Sequence, residues 1–343
     1  MADMAQVREG EGRLIRLPLS SLQIDPMRCD DEAEQHLHAG ESTMIKSKSY
    51  SQGWWVGYLF LTPWMIGFFG LVLGPMIYSL YLSFTDYNLL NAPRWTGLDN
   101  FREMFQDRDY LDSVKVTLTF VLFAVPLELL AALGVALLLN KGIRGLGIYR
   151  TVYYIPSLLG GSVAIALLWK NIFGVDGLVN QVLAFFGIQG KGWVSHPDYA
   201  LYTLIILSTW QFGSAMVIFL AGLKQIPSEL YEAAAVDGAS GWRRFWSITF
   251  PLLSPVLFFN LIMKLISSMQ VFTSSYIVSN GSGGPVNSTL FYTLYLYQRG
   301  FSYFEMGYAS AMAWLLLVTL AIMTGILFLT SRYWVHYEDG GRS

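Results

Sequence analysis

Long apolar runs alternate along this chain with short polar stretches, and six of the runs read as membrane-spanning helices at 55–81, 114–139, 152–169, 201–223, 252–278 and 307–330. Most match or exceed the roughly 20 residues that a helix needs to cross the hydrocarbon of a bilayer. The third run is the shortest and carries Pro156, Gly160 and Gly161. Such breaks are tolerated in membranes where neighbouring helices satisfy the freed backbone groups. The pattern predicts an all-α, polytopic membrane protein.

The polar stretch between the fourth and fifth runs has its own helical signal. Pro227 closes the preceding segment, and Ser228 is placed to cap the first free amides. Glu229 and Glu232 lie near the positive end of the short helix that follows. Ala233, Ala234 and Ala235 favour helix and leave a surface of small side chains. Asp237-Gly238 ends it, with Gly238 free to take the left-handed backbone that turns the chain back.

Composition narrows the class. Hydrophobic residues make up 54% of the 343 residues and charged residues 13%, about half the charged share of a soluble domain. A net charge of −2 argues against a nucleic-acid partner. Cys29 is the single cysteine, so no intramolecular disulfide forms. The histidines at 36, 38, 196 and 336 lack a third ligand at useful spacing, so no metal site is expected. Basic residues set the orientation. Lys46, Lys48, Lys141, Arg144, Arg150, Lys224, Arg243, Arg244 and Arg332 mark one side. On the other, Arg94, Arg102 and Arg108 are offset by Asp86, Asp99, Glu103, Asp107 and Asp109, and Lys191 stands nearly alone. Both termini and the 227–251 loop are thereby expected in the cytoplasm. Residues 1–50 are polar and acidic around Asp30–Glu34 and read as a disordered cytoplasmic extension, with Met44 as an alternative start. Residues 51–335 form the membrane domain and 336–343 a cytoplasmic tail.

The polar loop also carries a resemblance. Glu232-Ala233-Ala234, then Gly238, then Ile248 and Phe250-Pro251, follow the loop pattern of binding-protein-dependent ABC importer permeases, with Phe250 where that family usually has leucine. Ser83-Phe84-Thr85-Asp86-Tyr87-Asn88, Gly97-Leu98-Asp99-Asn100-Phe101, Gly283-Gly284-Pro285 and Gly307-Tyr308-Ala309-Ser310-Ala311 resemble the carbohydrate subgroup, in the same order. The chain resembles the six-helix relatives of the first maltose, lactose and glycerol-phosphate permease subunits. It lacks the extra N-terminal helices and large outer insertion of the maltose subunit. The resemblance implies that Ser228, Glu229, Glu232, Ala233, Ala234, Asp237, Gly238 and Pro251 belong to a coupling helix and its flank, docking on an ATPase.

Polar groups inside a bundle are costly unless paired, and so are candidates for function. Ser208, Gln211 and Phe212 fall within one turn, and Ser268 and Gln270 lie near the middle of the fifth run. Amides and hydroxyls that match sugar hydroxyls, with aromatic faces beside them, suit a saccharide path. Placed on the maltose subunit's pattern, Ser208, Gln211, Ser268 and Gln270 fall where sugar contacts arise, with Ser157 a weaker carry-over. The competing reading is hydrogen bonding between helices. Glu128 and Lys264 are deep charges that read as partners across the bundle or, for Lys264, as facing a water-filled path or a second permease.

No Gly-x-x-x-x-Gly-Lys-Ser/Thr phosphate loop occurs, and no nucleophile–His–acid pattern. The chain therefore reads as a non-catalytic permease subunit of a sugar importer, with no cofactor of its own. The resemblance implies a second homologous permease, two ATPase subunits holding ATP and magnesium, an extracytoplasmic solute-binding protein, and a place in a prokaryotic inner membrane. The alternative is a secondary transporter driven by an ion gradient, which should show inverted repeats and more deep charges; a channel leaves the loop without a purpose.

Overall fold

The computed structural model describes residues 4–8, 14–18, 54–142 and 145–336. The chain divides into two compact units, Met1–Phe69 and Gly70–Ser343. In the first, β1 (Met4–Arg8) pairs antiparallel with β2 (Leu14–Pro18), Met4 opposite Pro18. The sequence pattern did not foresee this hairpin. The rest of the expected extension, with His36, His38 and Met44, lies outside the described residues, as do 337–343. Helix α1 (Trp54–Gly67) contains Pro63, and a π-helical turn, Phe68–Leu73, follows it.

The second unit is a helical bundle. Its elements are α2 (Gly74–Ser83), α3 (Asp99–Gln106), α4 (Arg108–Leu139), α5 (Leu146–Leu159), α6 (Val163–Ile172), α7 (Leu178–Phe185), α8 (Pro197–Trp210), α9 (Gly213–Gln225), α10 (Ser228–Val236), α11 (Gly241–Arg244), α12 (Phe250–Met269), α13 (Thr273–Val278), α14 (Tyr292–Tyr297) and α15 (Met306–Trp334). Two-residue strands, β3 (Thr85–Asp86) and β4 (Arg94–Trp95), pair near the end of α2. Four stretches are long and apolar enough to cross a membrane singly: Tyr58–Ser83, Arg108–Leu139, Gly241–Val278 and Met306–Trp334. Two bent pairs bring the number to six, α5 with α6 turning by 98° and α8 with α9 by 40°.

The six expected runs are thus all present, but two are not straight rods. The third run breaks sideways at Gly160-Gly161-Ser162, and Ser162 restarts a helix by accepting the Ile165 amide at 3.3 Å. The fourth run breaks at Gln211-Phe212. The second run starts six residues earlier than expected, at Arg108, because Asp107 caps it by accepting the Asp109 amide at 3.0 Å.

Helix α4 is the central post. Thr117, Phe120, Val121, Ala124, Glu128, Ala132 and Ala136 are buried along one face at helical spacing. The alanines let α9 and α12 approach closely. Two packed clusters result. One joins Phe120 and Ala124 to Leu204, Phe291 and Met312; the other joins Val125 and Leu129 to Phe219, Leu220 and Leu253.

The short motifs that carry the family resemblance meet in space. Asn100 donates its amide to the carbonyls of Ser83 and Thr85, each at 2.9 Å. The Gly307 amide donates to the Tyr87 carbonyl at 3.0 Å. Three separated sequence fragments therefore form one joint between α2, α3 and the start of α15.

Candidate functional site

The three helix interruptions at 160–162, 211–212 and 270–272 converge on one cavity of about 310 Å³. Ser208, Gln211, Ser268 and Gln270, four residues expected to line a substrate path, form its polar wall with Ser267 and Thr273. Phe120, Leu204, Leu207 and Phe272 form its apolar side. Such a mixture, convergent polar groups facing an apolar wall, suits a small polar ligand.

Gln211 donates its side-chain amide to the Gly160 carbonyl at 3.1 Å, so one break is fastened to another. A Cβ built on Gly160 would lie 2.1 Å from Gln211 Cδ. Only glycine leaves Gln211 this seat.

Glu128 and Lys264 form an ion pair on the cavity wall, linking α4 to α12. The second Glu128 oxygen accepts the Ser208 hydroxyl at 3.3 Å. The expectation of a pair across the bundle holds. Lys264 borders the cavity beside the nominated residues, and what the sequence reading missed is that Gly160 does too. Lys264 stands one turn before Ser268, which is the signal that was available.

Two nominated residues lie off the cavity wall. The Ser157 hydroxyl returns to the Tyr154 carbonyl of its own helix at 2.7 Å. Phe212 packs its ring against Tyr153, with centroids 5.9 Å apart.

The short helix of the loop is α10, Ser228–Val236. Pro227, not Ser228, occupies the capping position, and no side chain caps the helix. Ser228 is already its first residue, too far along to reach the free amides as expected. Glu229 sits in the first turn, and Glu229, Glu232, Ala233 and Asp237 are exposed while Ala234 is half-buried. Gly238 has φ +72°, and the Ala239 and Gly238 amides return to the carbonyls of Ala234 and Ala235 at 2.9 and 3.1 Å. That is a Schellman closure. The Tyr231 and Thr249 hydroxyls, 2.9 Å apart, tie α10 to the turn before α12. Pro251 lies in the first turn of α12, and its carbonyl accepts the Ser254 hydroxyl at 2.6 Å. Val236 is 89% and Trp242 73% exposed.

A second polar cluster escaped the sequence reading. Arg299 pairs with Glu103 at 2.7 Å and Glu305 at 2.8 Å, and its guanidinium lies 3.9 Å above the Tyr308 ring. Asp107 accepts the hydroxyls of Tyr295 and, at 2.9 Å, Tyr308. Burial pushes the Asp107 carboxyl up, but those hydrogen bonds and Arg299 outweigh it and hold the group below its ordinary value. Burial leaves Glu305 raised despite Arg299. Among the described residues no group of three or more metal-ligating side chains occurs.

Residues 107–335 match the family described as the binding-protein-dependent transport system inner membrane component. The chain belongs to that family. This permease is 56% identical over 302 residues to the probable ABC transporter permease protein YesP of Bacillus subtilis (strain 168), across 88% of this chain and 98% of that one. It is 33% identical over 282 residues to the lactose transport system permease protein LacF of Rhizobium radiobacter, across 80% and 94% of the two chains. Its fold matches a chain in the crystal structure of a bacterial alginate ABC transporter in complex with alginate pentasaccharide-bound periplasmic protein. The TM-score there is 0.70 at 24% identity, over 81% of this chain and 94% of that chain. The permease is therefore a multi-pass membrane subunit of a binding-protein-dependent transport system.

Proposed function

We propose that this permease forms one half of the saccharide path of an ATP-driven importer in a prokaryotic inner membrane, with a second homologous permease supplying the other half. The cavity carries the reading: hydroxyls and amides of Ser208, Gln211, Ser268 and Gln270 beside the Phe120 and Phe272 rings suit a sugar, whose faces are apolar and whose rim is hydroxyl. Relatives named for lactose and for trehalose and maltose transport support the substrate class.

In this reading two ATPase subunits, holding ATP and magnesium, grip the cytoplasmic loops. The exposed Val236 and the face around Glu229, Glu232, Ala233 and Asp237 dock there, with Gly238 and Pro251 fixing the geometry of the turn. ATP binding brings the ATPases together, moves α10 and opens the cavity outward to a solute-binding protein; hydrolysis resets it. Both termini lie in the cytoplasm, and the chain itself catalyses no reaction. The domain scheme follows, with residues 51–335 as the transporting domain. An ion-coupled carrier is not favoured for a member of a binding-protein-dependent family.

The test is to purify the tagged chain from its native membrane and identify what accompanies it. Recovery of an ATPase, a second permease and a solute-binding protein, with uptake of saccharide that stops when ATP is withdrawn, is the expected result. Recovery of the chain alone, with uptake that survives ATP depletion, would refute the proposal.

A further inference from the structure

The cavity holds one cation, and the way it is held gives the cavity a sign. The Glu128 side chain is 3% exposed and that of Lys264 is 19% exposed. Both carboxylate oxygens are engaged, one by Lys264 and the other by Ser208. An ammonium has three donors, and the one partner the structure gives Lys264 Nζ is Glu128. Both residues line the cavity and Lys264 is the more exposed of the two, so a ligand meets chiefly the positive member of a neutral pair.

The other wall residues are hydroxyls, amides and apolar groups, with no arginine and no second carboxylate. We infer that the cavity selects a saccharide bearing a carboxylate, a uronic-acid unit, whose carboxylate docks on Lys264 while Ser208, Gln211, Ser268 and Gln270 take its hydroxyls. Glu128 is the positioning residue that keeps Lys264 aimed. A phosphorylated or otherwise doubly charged sugar fits less well. A single lysine already shared with a carboxylate does not match the two charges of a phosphate, which a forked guanidinium recognises better. A neutral sugar can offer the spare ammonium donors only hydroxyl oxygens, which make weaker hydrogen bonds than a carboxylate does.

The inference rests on the reading of this cavity as a saccharide path, and the experiment separates the two. The whole transporter, with its partner permease and ATPases, is reconstituted in nanodiscs without the solute-binding protein, whose own selectivity is thereby removed. It is titrated with cellobiose, with cellobiouronic acid, which differs by one carboxylate, and with cellobiose 6-phosphate. A charged hydrogen bond in such a site favours the uronate over cellobiose by about tenfold or more. In Lys264→Gln the ratio of the two affinities falls toward one. Because that change strands Glu128, the double variant Glu128→Gln with Lys264→Gln, an amide pair of similar shape, is measured beside it and shows the same loss.

Cellobiose bound as well as the uronate, a uronate preference that survives in the double variant, or tightest binding of the phosphate would each overturn the inference while leaving the sugar path standing. Failure of all three to bind, together with no ATP-driven uptake of any saccharide by the transporter with its solute-binding protein in proteoliposomes, would overturn both.

Discussion

The seat of Gln211 on Gly160 separates stability from transport in a way two single substitutions expose. Gly160 has φ −61° and ψ −30°, an ordinary helical conformation, so alanine brings no backbone strain. Its new Cβ would lie 2.1 Å from Gln211 Cδ and 2.2 Å from Oε1, atoms at the far end of a flexible side chain. Gln211 can swing away, losing one hydrogen bond worth about 1 kcal/mol and accepting a poorer rotamer at about 0.5–1.5 kcal/mol. Part of that is offset by the gain of alanine over glycine in a helical backbone. Gly160→Ala is therefore expected to fold with a net loss within about 2 kcal/mol, yet with Gln211 displaced from the cavity. If Gln211 donates to a sugar hydroxyl, the half-saturating saccharide concentration rises by about two- to tenfold.

Gly213→Ala is the contrast. There the Cβ would lie 2.2 Å from the Tyr153 carbonyl oxygen and 2.8 Å from Tyr154 Cα, backbone atoms of α5 that cannot rotate aside. Overpacking of this kind costs about 1–3 kcal/mol or more, and the loss appears as lower thermal stability. The assays are thermal unfolding of each purified transporter in nanodiscs and initial uptake rates in proteoliposomes against saccharide concentration. A Gly160→Ala protein that melts as low as Gly213→Ala, or one that transports with an unchanged half-saturating concentration, would show that the seat does not work as argued.

Three further outcomes follow from the geometry. Gly238→Val places a β-branched residue at φ +72°, where nothing lies within 4 Å of the new Cβ. The cost is backbone strain of about 1–2 kcal/mol at the end of α10, so ATP hydrolysis should continue while uptake falls, and normal uptake counts against a coupling role. Lys264→Gln alone leaves a buried carboxylate unpaired and should cost about 3–5 kcal/mol, with much of the loss restored by adding Glu128→Gln; thermal unfolding of the single and double variants reads this directly. Asp107 is held below its ordinary 3.8, so it stabilises the fold above that value and loses the contribution as pH falls through its lowered folded value. The stability gap between the parent and Asp107→Asn should therefore stay level from pH 7 to about 5 and close only below about 4; a gap that closes near pH 6 contradicts the arrangement.

The membrane spans were legible because long apolar runs have few alternative meanings. The break in the third run was legible from Gly160-Gly161, whereas those at 211–212 and 270–272 were not, because no proline or glycine stands there. The angle of the first was not legible, because the 98° turn is set by how α5 and α6 pack on separate neighbours. Ser228 was misread because serine beside proline fits a cap in sequence, and only the backbone shows Pro227 in the extended position that starts the helix. Ser208, Gln211, Ser268 and Gln270 could be nominated one helix at a time, since each pair shares a turn or a face. The Arg299 cluster could not. Its members at 103, 107, 299, 305 and 308 have no common local pattern, and what joins them is the return of the chain to the start of α4 nearly 200 residues later.

The attachment of α10 has a mechanical consequence. Tyr231 touches Thr249, and from Gly241 through the π-helical turn Phe245–Thr249 to Met269 the chain runs as unbroken helix. From Thr249 to Lys264 is fifteen residues, a rod of about 22 Å at the helical rise. Under the proposed coupling role, a movement at Tyr231 would reach the charged pair along one helix that contains Pro255, with no loop in between to absorb it. The helix ends at Gln270, on the cavity wall, so the contact that holds α10 and one wall of the cavity belong to one continuous piece of chain.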